Sequence, residues 1–138
     1  MQIITLNRYE VSSFRTEKSC MIFSVKDPES DPVFINEFQN LVHVEWLEFW
    51  DVSDSRDGAI TQSMADKIAL VFKKYRDECE IVVVQCEAGV SRSAGIAVAI
   101  GEYIGIPYTT LKHSYPLYNR FVYQMVASAL RKGGDGHE

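Results

Sequence analysis

Apolar residues are densest at Ile81-Val82-Val83-Val84, a β-branched run with no polar interruption. Such a run suits a central strand buried on both faces of a sheet. Three further apolar segments, 3–6, 21–25 and 42–50, predict strands, and in the last of them Val42, Val44 and Trp46 share one parity. Elsewhere the period is helical. Met64, Ile68, Val71 or Phe72, and Tyr75 recur behind Thr61 or Ser63 as N-cap, which predicts an amphipathic helix over 63–77. Residues 93–104, rich in Ala and Ile, predict a buried helix that Pro107 stops. Asn119 can cap a last helix carrying Phe121, Met125 and Ala129. Strands alternating with helices predict an α/β domain with a central, mainly parallel sheet flanked by helices. Ligands of such sheets bind at the carboxyl ends of the strands. For the central strand that edge falls at Gln85 and Cys86.

The 138 residues suit one domain, expected over 1–132, with the glycine-containing 133–138 as a disordered tail and 27–32 as a surface turn. No stretch of 18 apolar residues occurs, so no membrane span is expected. The first residues lack a basic segment followed by an apolar run, which makes the cytoplasm the default compartment. The three cysteines, Cys20, Cys79 and Cys86, are an odd number at irregular spacing, a poor disulfide framework and a poor metal cluster. At about 3.3 Å per extended residue, Cys79 and Cys86 would lie roughly 20 Å apart, too far to bridge. A reducing cytosol would keep these thiols free. The formal net charge of −5 argues against a nucleic-acid partner. An anion site would have to be built locally, from backbone N–H groups, a helix N-terminus and a nearby Arg.

Gln85-Cys86-Glu87-Ala88-Gly89-Val90-Ser91-Arg92-Ser93-Ala94-Gly95 meets that requirement. Cys86 ends a buried strand, Arg92 opens a buried helix, and Gly89 sits in the short loop between them. A loop curling from strand to helix can point successive N–H groups at one tetrahedral anion. The helix N-terminus adds partial positive charge, and Arg92 can fork onto two oxygens. The same field favours the thiolate of Cys86, placed under the anion for in-line attack. Ser93 could donate a hydrogen bond to the departing sulfur, or cap its helix. An isolated free cysteine is usually structural; Gly89, Arg92 and Ser93 around this one favour chemistry.

Cys-x5-Arg followed by Ser resembles the signature of the protein tyrosine phosphatase superfamily. Cys-Glu-Ala-Gly-Val-Ser-Arg-Ser-Ala most resembles its compact dual-specificity and bacterial or phage-type members. Leu47-Glu48-Phe49-Trp50-Asp51 resembles the strand-then-Asp segment that carries the family's general acid. Pro116-Leu117-Tyr118-Asn119-Arg120-Phe121 with Gln124-Met125 resembles the start of its C-terminal helix. The similarity spans roughly 42–130.

The resemblance implies a phosphotyrosine phosphatase-like fold of dual-specificity type. It also implies metal-independent hydrolysis of phosphotyrosine, with phosphoserine and phosphothreonine as further candidates, through a phosphocysteine. Cys86 would be the nucleophile. The loop Glu87, Ala88, Gly89, Val90, Ser91 and Arg92 would hold the phosphate or sulfate- and vanadate-like anions. The acid would be Asp51; Asp54 and Asp57 read better as turn residues or caps. No cofactor is expected, and the expected partner is a phosphorylated protein or peptide. So short a chain has few loops with which to wall a deep cleft, which keeps phosphoinositides and phosphorylated RNA ends open as substrates.

Gln85 departs from the family, which usually has His there. Gln donates hydrogen bonds without positive charge, which implies a weaker hold on the thiolate and supports a rival, a phosphate-binding pseudophosphatase. A second rival is a rhodanese-type sulfurtransferase, against which the Arg92-Ser93 ending and the Asn119 segment speak. Glu87 is expected to turn its carboxylate away from the anion, and Asn119 to serve only as a cap. His43, His113 and His137 lie outside the motif and read neither as bases nor as ligands.

Overall fold

The computed structural model describes residues 1–132; the predicted tail at 133–138 lies outside them. In chain order the elements are β1 (Gln2–Leu6), α1 (Arg8–Val11), β2 (Cys20–Lys26), β3 (Leu41–Glu48) and α2 (Gln62–Tyr75), which runs on into a 3-10 turn at Arg76–Glu78. Then come β4 (Ile81–Gln85), α3 (Arg92–Tyr103), α4 (Tyr108–Ser114) and α5 (Arg120–Arg131). The strand order is β1-β4-β2-β3 and every neighbouring pair is parallel. All four carboxyl ends therefore open on one edge, and the loops that follow them meet there.

β4 is interior, and all five of its residues are buried. Val82 and Val84 pack with Ile68, Phe72, Ile96, Ile100 and Leu130 on one face. Ile81 and Val83 pack with Val11 and Ile22 on the other. That two-sided burial is why the run needs no polar alternation. Among the described residues no helix is long and apolar enough to cross a membrane.

α3 is buried continuously from Arg92 to Gly101. Its small residues let α5 come close. A Cβ on Gly95 would stand 2.7 Å from the Asn119 carbonyl oxygen and 3.0 Å from Val122 Cβ.

Several boundaries differ from the sequence pattern. The 42–50 segment leaves the sheet after Glu48, because Trp50 N–H turns to bond Gly58 O at 2.7 Å. The 63–77 helix begins one residue earlier, capped by Thr61, whose Oγ1 accepts from Met64 N–H at 3.2 Å. α3 does not run to the proline. Gly105, at φ +102°, ends it with Ile106 N–H on Gly101 O at 2.9 Å and Gly105 N–H on Glu102 O at 3.1 Å. Pro107 instead opens α4, a helix the pattern did not predict; its fixed φ suits a helix start as well as a helix stop. α1 was also unpredicted. It is a single turn held by a capping box, with Asn7 Oδ1 accepting from Glu10 N–H at 2.8 Å and Glu10 Oε1 accepting from Asn7 N–H at 2.8 Å.

Candidate active site

β4 carries Gln85 and Cys86 to the carboxyl edge, and the chain turns over 86–91 before α3 begins. Cys86 N–H bonds Leu6 O at 3.3 Å, anchoring the turn to β1. Cys86 is 2% exposed. Its Sγ lies 3.1 Å from Ser93 Oγ in a hydrogen bond and accepts from Gly89 N–H at 3.3 Å. The sulfur thus faces the loop. Gly89 has φ +77°, and a Cβ there would lie 2.8 Å from Asn7 N and from Leu6 C. Left-handed backbone and close approach together require glycine. The corner between β1 and α1 therefore backs the loop. From that corner Arg8 reaches Glu87, with Nη1 3.4 Å from its carboxylate, so the Glu87 charge is turned aside.

Arg92 is 4% exposed, and a buried guanidinium is costly unless paired. Its Nη1 donates to Phe49 O at 2.6 Å and meets Asp27 Oδ1 at 2.7 Å. Both partners come from neighbouring strand ends, Asp27 after β2 and Phe49 after β3. Arg92 Nε is buried and has no partner among the described residues. A buried donor left unbonded is expensive, and an oxyanion held by the 86–92 loop would satisfy it. The first residues of α3 add to this. Ser91 stands at its N-cap, yet makes no capping bond with its side chain. The first-turn N–H groups are left for an anion. Ser93, a possible cap, lies within α3 and bonds the Cys86 sulfur.

Gln85 is 1% exposed, and both of its polar side-chain atoms are bonded. Its Oε1 accepts from Ser24 Oγ across the β2–β4 pairing, and its Nε2 donates to Cys86 O at 3.0 Å. Ser24, not singled out in the sequence, and Asp27, read there only as part of a surface turn, reach the site because β2 lies beside β4.

Of the three carboxylates considered as acid, Asp51 alone bonds the 86–92 loop. Its Oδ1 accepts from Ser91 Oγ at 2.8 Å and from Asn119 Nδ2 at 2.7 Å. Asp54 is tied to Arg56, with Nε at 2.7 Å and Nη2 at 2.8 Å, which holds its carboxyl down to about 2. Asp57 is exposed in the same turn. Asn119 does more than cap. Its Oδ1 accepts from Val122 N–H at 3.0 Å, while its Nδ2 also donates to Val52 O at 3.0 Å.

The other thiols are removed from this edge. Cys20 and Cys79 are buried, and desolvation pushes them up to about 12 and about 11. His43 stacks on Tyr75 and bonds Glu45 on β3. A small groove of about 180 Å³ borders the 86–92 loop, lined by Thr5, Gly89, Val90, Tyr115, Pro116 and Leu117 among others.

No protein-family model matches the chain, and no curated protein does. Solved structures do. PTPMT1 in complex with PI(5)P superposes with a TM-score of 0.56 at 15% identity, over 82% of this chain and 77% of that one. The human tyrosine phosphatase-like serine/threonine/tyrosine-interacting protein superposes with a TM-score of 0.52 at 20% identity, over 83% and 75%. At these identities the likeness is one of backbone architecture. The parallel four-stranded sheet, the strand–loop–helix turn at Cys86 and these two superpositions converge on one conclusion: the chain has the fold of the protein tyrosine phosphatase superfamily.

Proposed function

We propose that the chain is a cysteine-dependent phosphatase that removes phosphate from protein side chains, phosphotyrosine foremost, through a phosphocysteine. One observation carries this: the Cys86 sulfur accepts from Gly89 N–H and shares a hydrogen bond with Ser93 Oγ, in a loop whose Arg92 is buried with its Nε unpartnered among the described residues. In the first step the thiolate attacks phosphorus. The S–P bond forms as the P–O ester bond breaks, and Asp51 gives its proton to the leaving oxygen. In the second step water attacks phosphorus while Asp51 takes a proton from it. The S–P bond breaks, Ser93 stabilises the departing sulfur, and inorganic phosphate leaves. Arg92 and the loop amides supply the positive charge, so no metal or organic cofactor enters the scheme. The free thiols suit a reducing, cytoplasmic setting.

PTPMT1 was solved with a phosphoinositide, which makes a lipid headgroup the competing substrate. The carboxylates around this edge favour a protein over a polyanion. Glu29, Asp31 and Asp57 are exposed there, and Asp54 and Glu87 already occupy two of its arginines. A second reading rests on Gln85: a neutral side chain behind the cysteine, bonded at both its oxygen and its nitrogen, suits a module that holds phosphate without turning it over.

Wild type and Cys86→Ser, assayed with p-nitrophenyl phosphate, decide between them. Turnover that drops by about three orders of magnitude or more in the variant, and that vanadate inhibits, supports the enzyme. Phosphopeptide binding without turnover in the wild type makes the chain a binding module, and cyanide-dependent thiocyanate formation makes it a sulfurtransferase.

A further inference from the structure

We infer that Asn119 is a positioning residue for the acid step: with the Ser91 hydroxyl, its amide latches Asp51 against the phosphate loop and leaves Oδ2 as the oxygen that delivers the proton. The inference rests on the hydrolase proposed above. The orientation of Asn119 is fixed by what surrounds it. Val122 N–H can only donate, so the Asn119 oxygen must face it, at 3.0 Å. Val52 O can only accept, so the amide nitrogen must face it, also at 3.0 Å. With the amide set this way, Nδ2 presents a hydrogen to Asp51 Oδ1 at 2.7 Å.

Ser91 Oγ brings a second contact to the same oxygen at 2.8 Å. A proton on Oδ1 would oppose the Asn119 donor, whereas Oδ2 has no hydrogen bond among the described residues and can carry it. Asn119 is bound to the phosphate loop as well, through its own N–H on Ser91 O at 3.0 Å. One side chain and its backbone therefore join three parts: the 51–52 segment, the end of the phosphate loop, and the start of α5. Asp51 itself is exposed. Without these bonds the 50–58 turn would be held at its ends, chiefly by Trp50 N–H on Gly58 O at 2.7 Å, and the carboxyl would be free to leave the loop.

Asn119→Ser and Asn119→Asp test this, because both keep an oxygen that can cap α5 while removing the amide donor. Two measurements are paired. The first compares turnover of phenyl phosphate, whose leaving group needs a proton, with 2,4-dinitrophenyl phosphate, whose leaving group does not. The second is backbone hydrogen exchange over 51–58. The expected result is a loss on phenyl phosphate about ten- to a hundredfold greater than on the dinitrophenyl ester, with faster exchange over 51–58.

Equal losses on the two esters, or unchanged exchange, overturn the inference. A wild type that hydrolyses neither ester sinks the hydrolase and the acid role together, and the exchange data then report whether the latch exists.

Discussion

Asp27 and Arg92 lie nearly half the chain apart, yet the guanidinium depends on that carboxylate for its place. Arg92 is 4% exposed, and its charged partner is Asp27 Oδ1 at 2.7 Å. Removing one member of a buried pair leaves the other uncompensated, which costs more than the pair contributes. Asp27 keeps 29% of its side chain in solvent, so the cost is moderated. Asp27→Asn should lower stability by about 1–3 kcal/mol in urea unfolding. The loss should shrink when phosphate is added, because the bound anion takes over as the counter-charge. A variant as stable as wild type would show that Asp27 does not hold Arg92.

Between elements, the decisive packing is α3 against α5. Gly95 leaves no room for a methyl group beneath the Asn119 carbonyl, at 2.7 Å from an ideal Cβ. Gly95→Ala gains helix propensity, but the clash is with backbone, which yields poorly. The net outcome should be a destabilisation of about 1–3 kcal/mol by thermal or urea unfolding. A stabilised variant would mean that α5 slides away easily.

The same elements show what local pattern can reveal. β4 and α3 were legible because four β-branched residues and an Ala- and Ile-rich segment each state their burial in sequence. Cys86, Gly89, Arg92 and Ser93 followed, since they sit where those two elements join. The Asn119 cap was legible too, but its bond to Asp51 was not, because 68 residues separate them. Ser24 and Asp27 gain their roles only from the adjacency of β2 and β4, and strand order leaves no trace in a local window. α1 hid behind its length, although Asn7 and Glu10 spell its capping box.

At the scale of the molecule, the parallel sheet gathers its loops at one edge, and that edge is acidic. Arg8 faces Glu87, Arg56 faces Asp54, and Arg92 faces Asp27. Glu29, Asp31 and Asp57 are exposed without an ion pair among the described residues, against a nearby basic Arg120. The chain as a whole carries −5. Such a field draws cationic flanks and repels polyanions. Phosphotyrosine peptides flanked by Lys and Arg should show kcat/KM about tenfold above peptides flanked by Asp and Glu at low salt, with phosphoinositides below both. The gap should narrow as ionic strength rises toward about 0.15 M. An acidic peptide or lipid that outruns the basic peptide would refute this picture.

Behind the cysteine, Gln85 joins Ser24 to the Cys86 carbonyl through an amide. An amide neither gains nor loses a proton across the range in which cells acidify, whereas imidazole changes charge within it. The brace behind the sulfur is therefore blind to acidification, and any sensitivity of this pocket to pH must originate in its other groups.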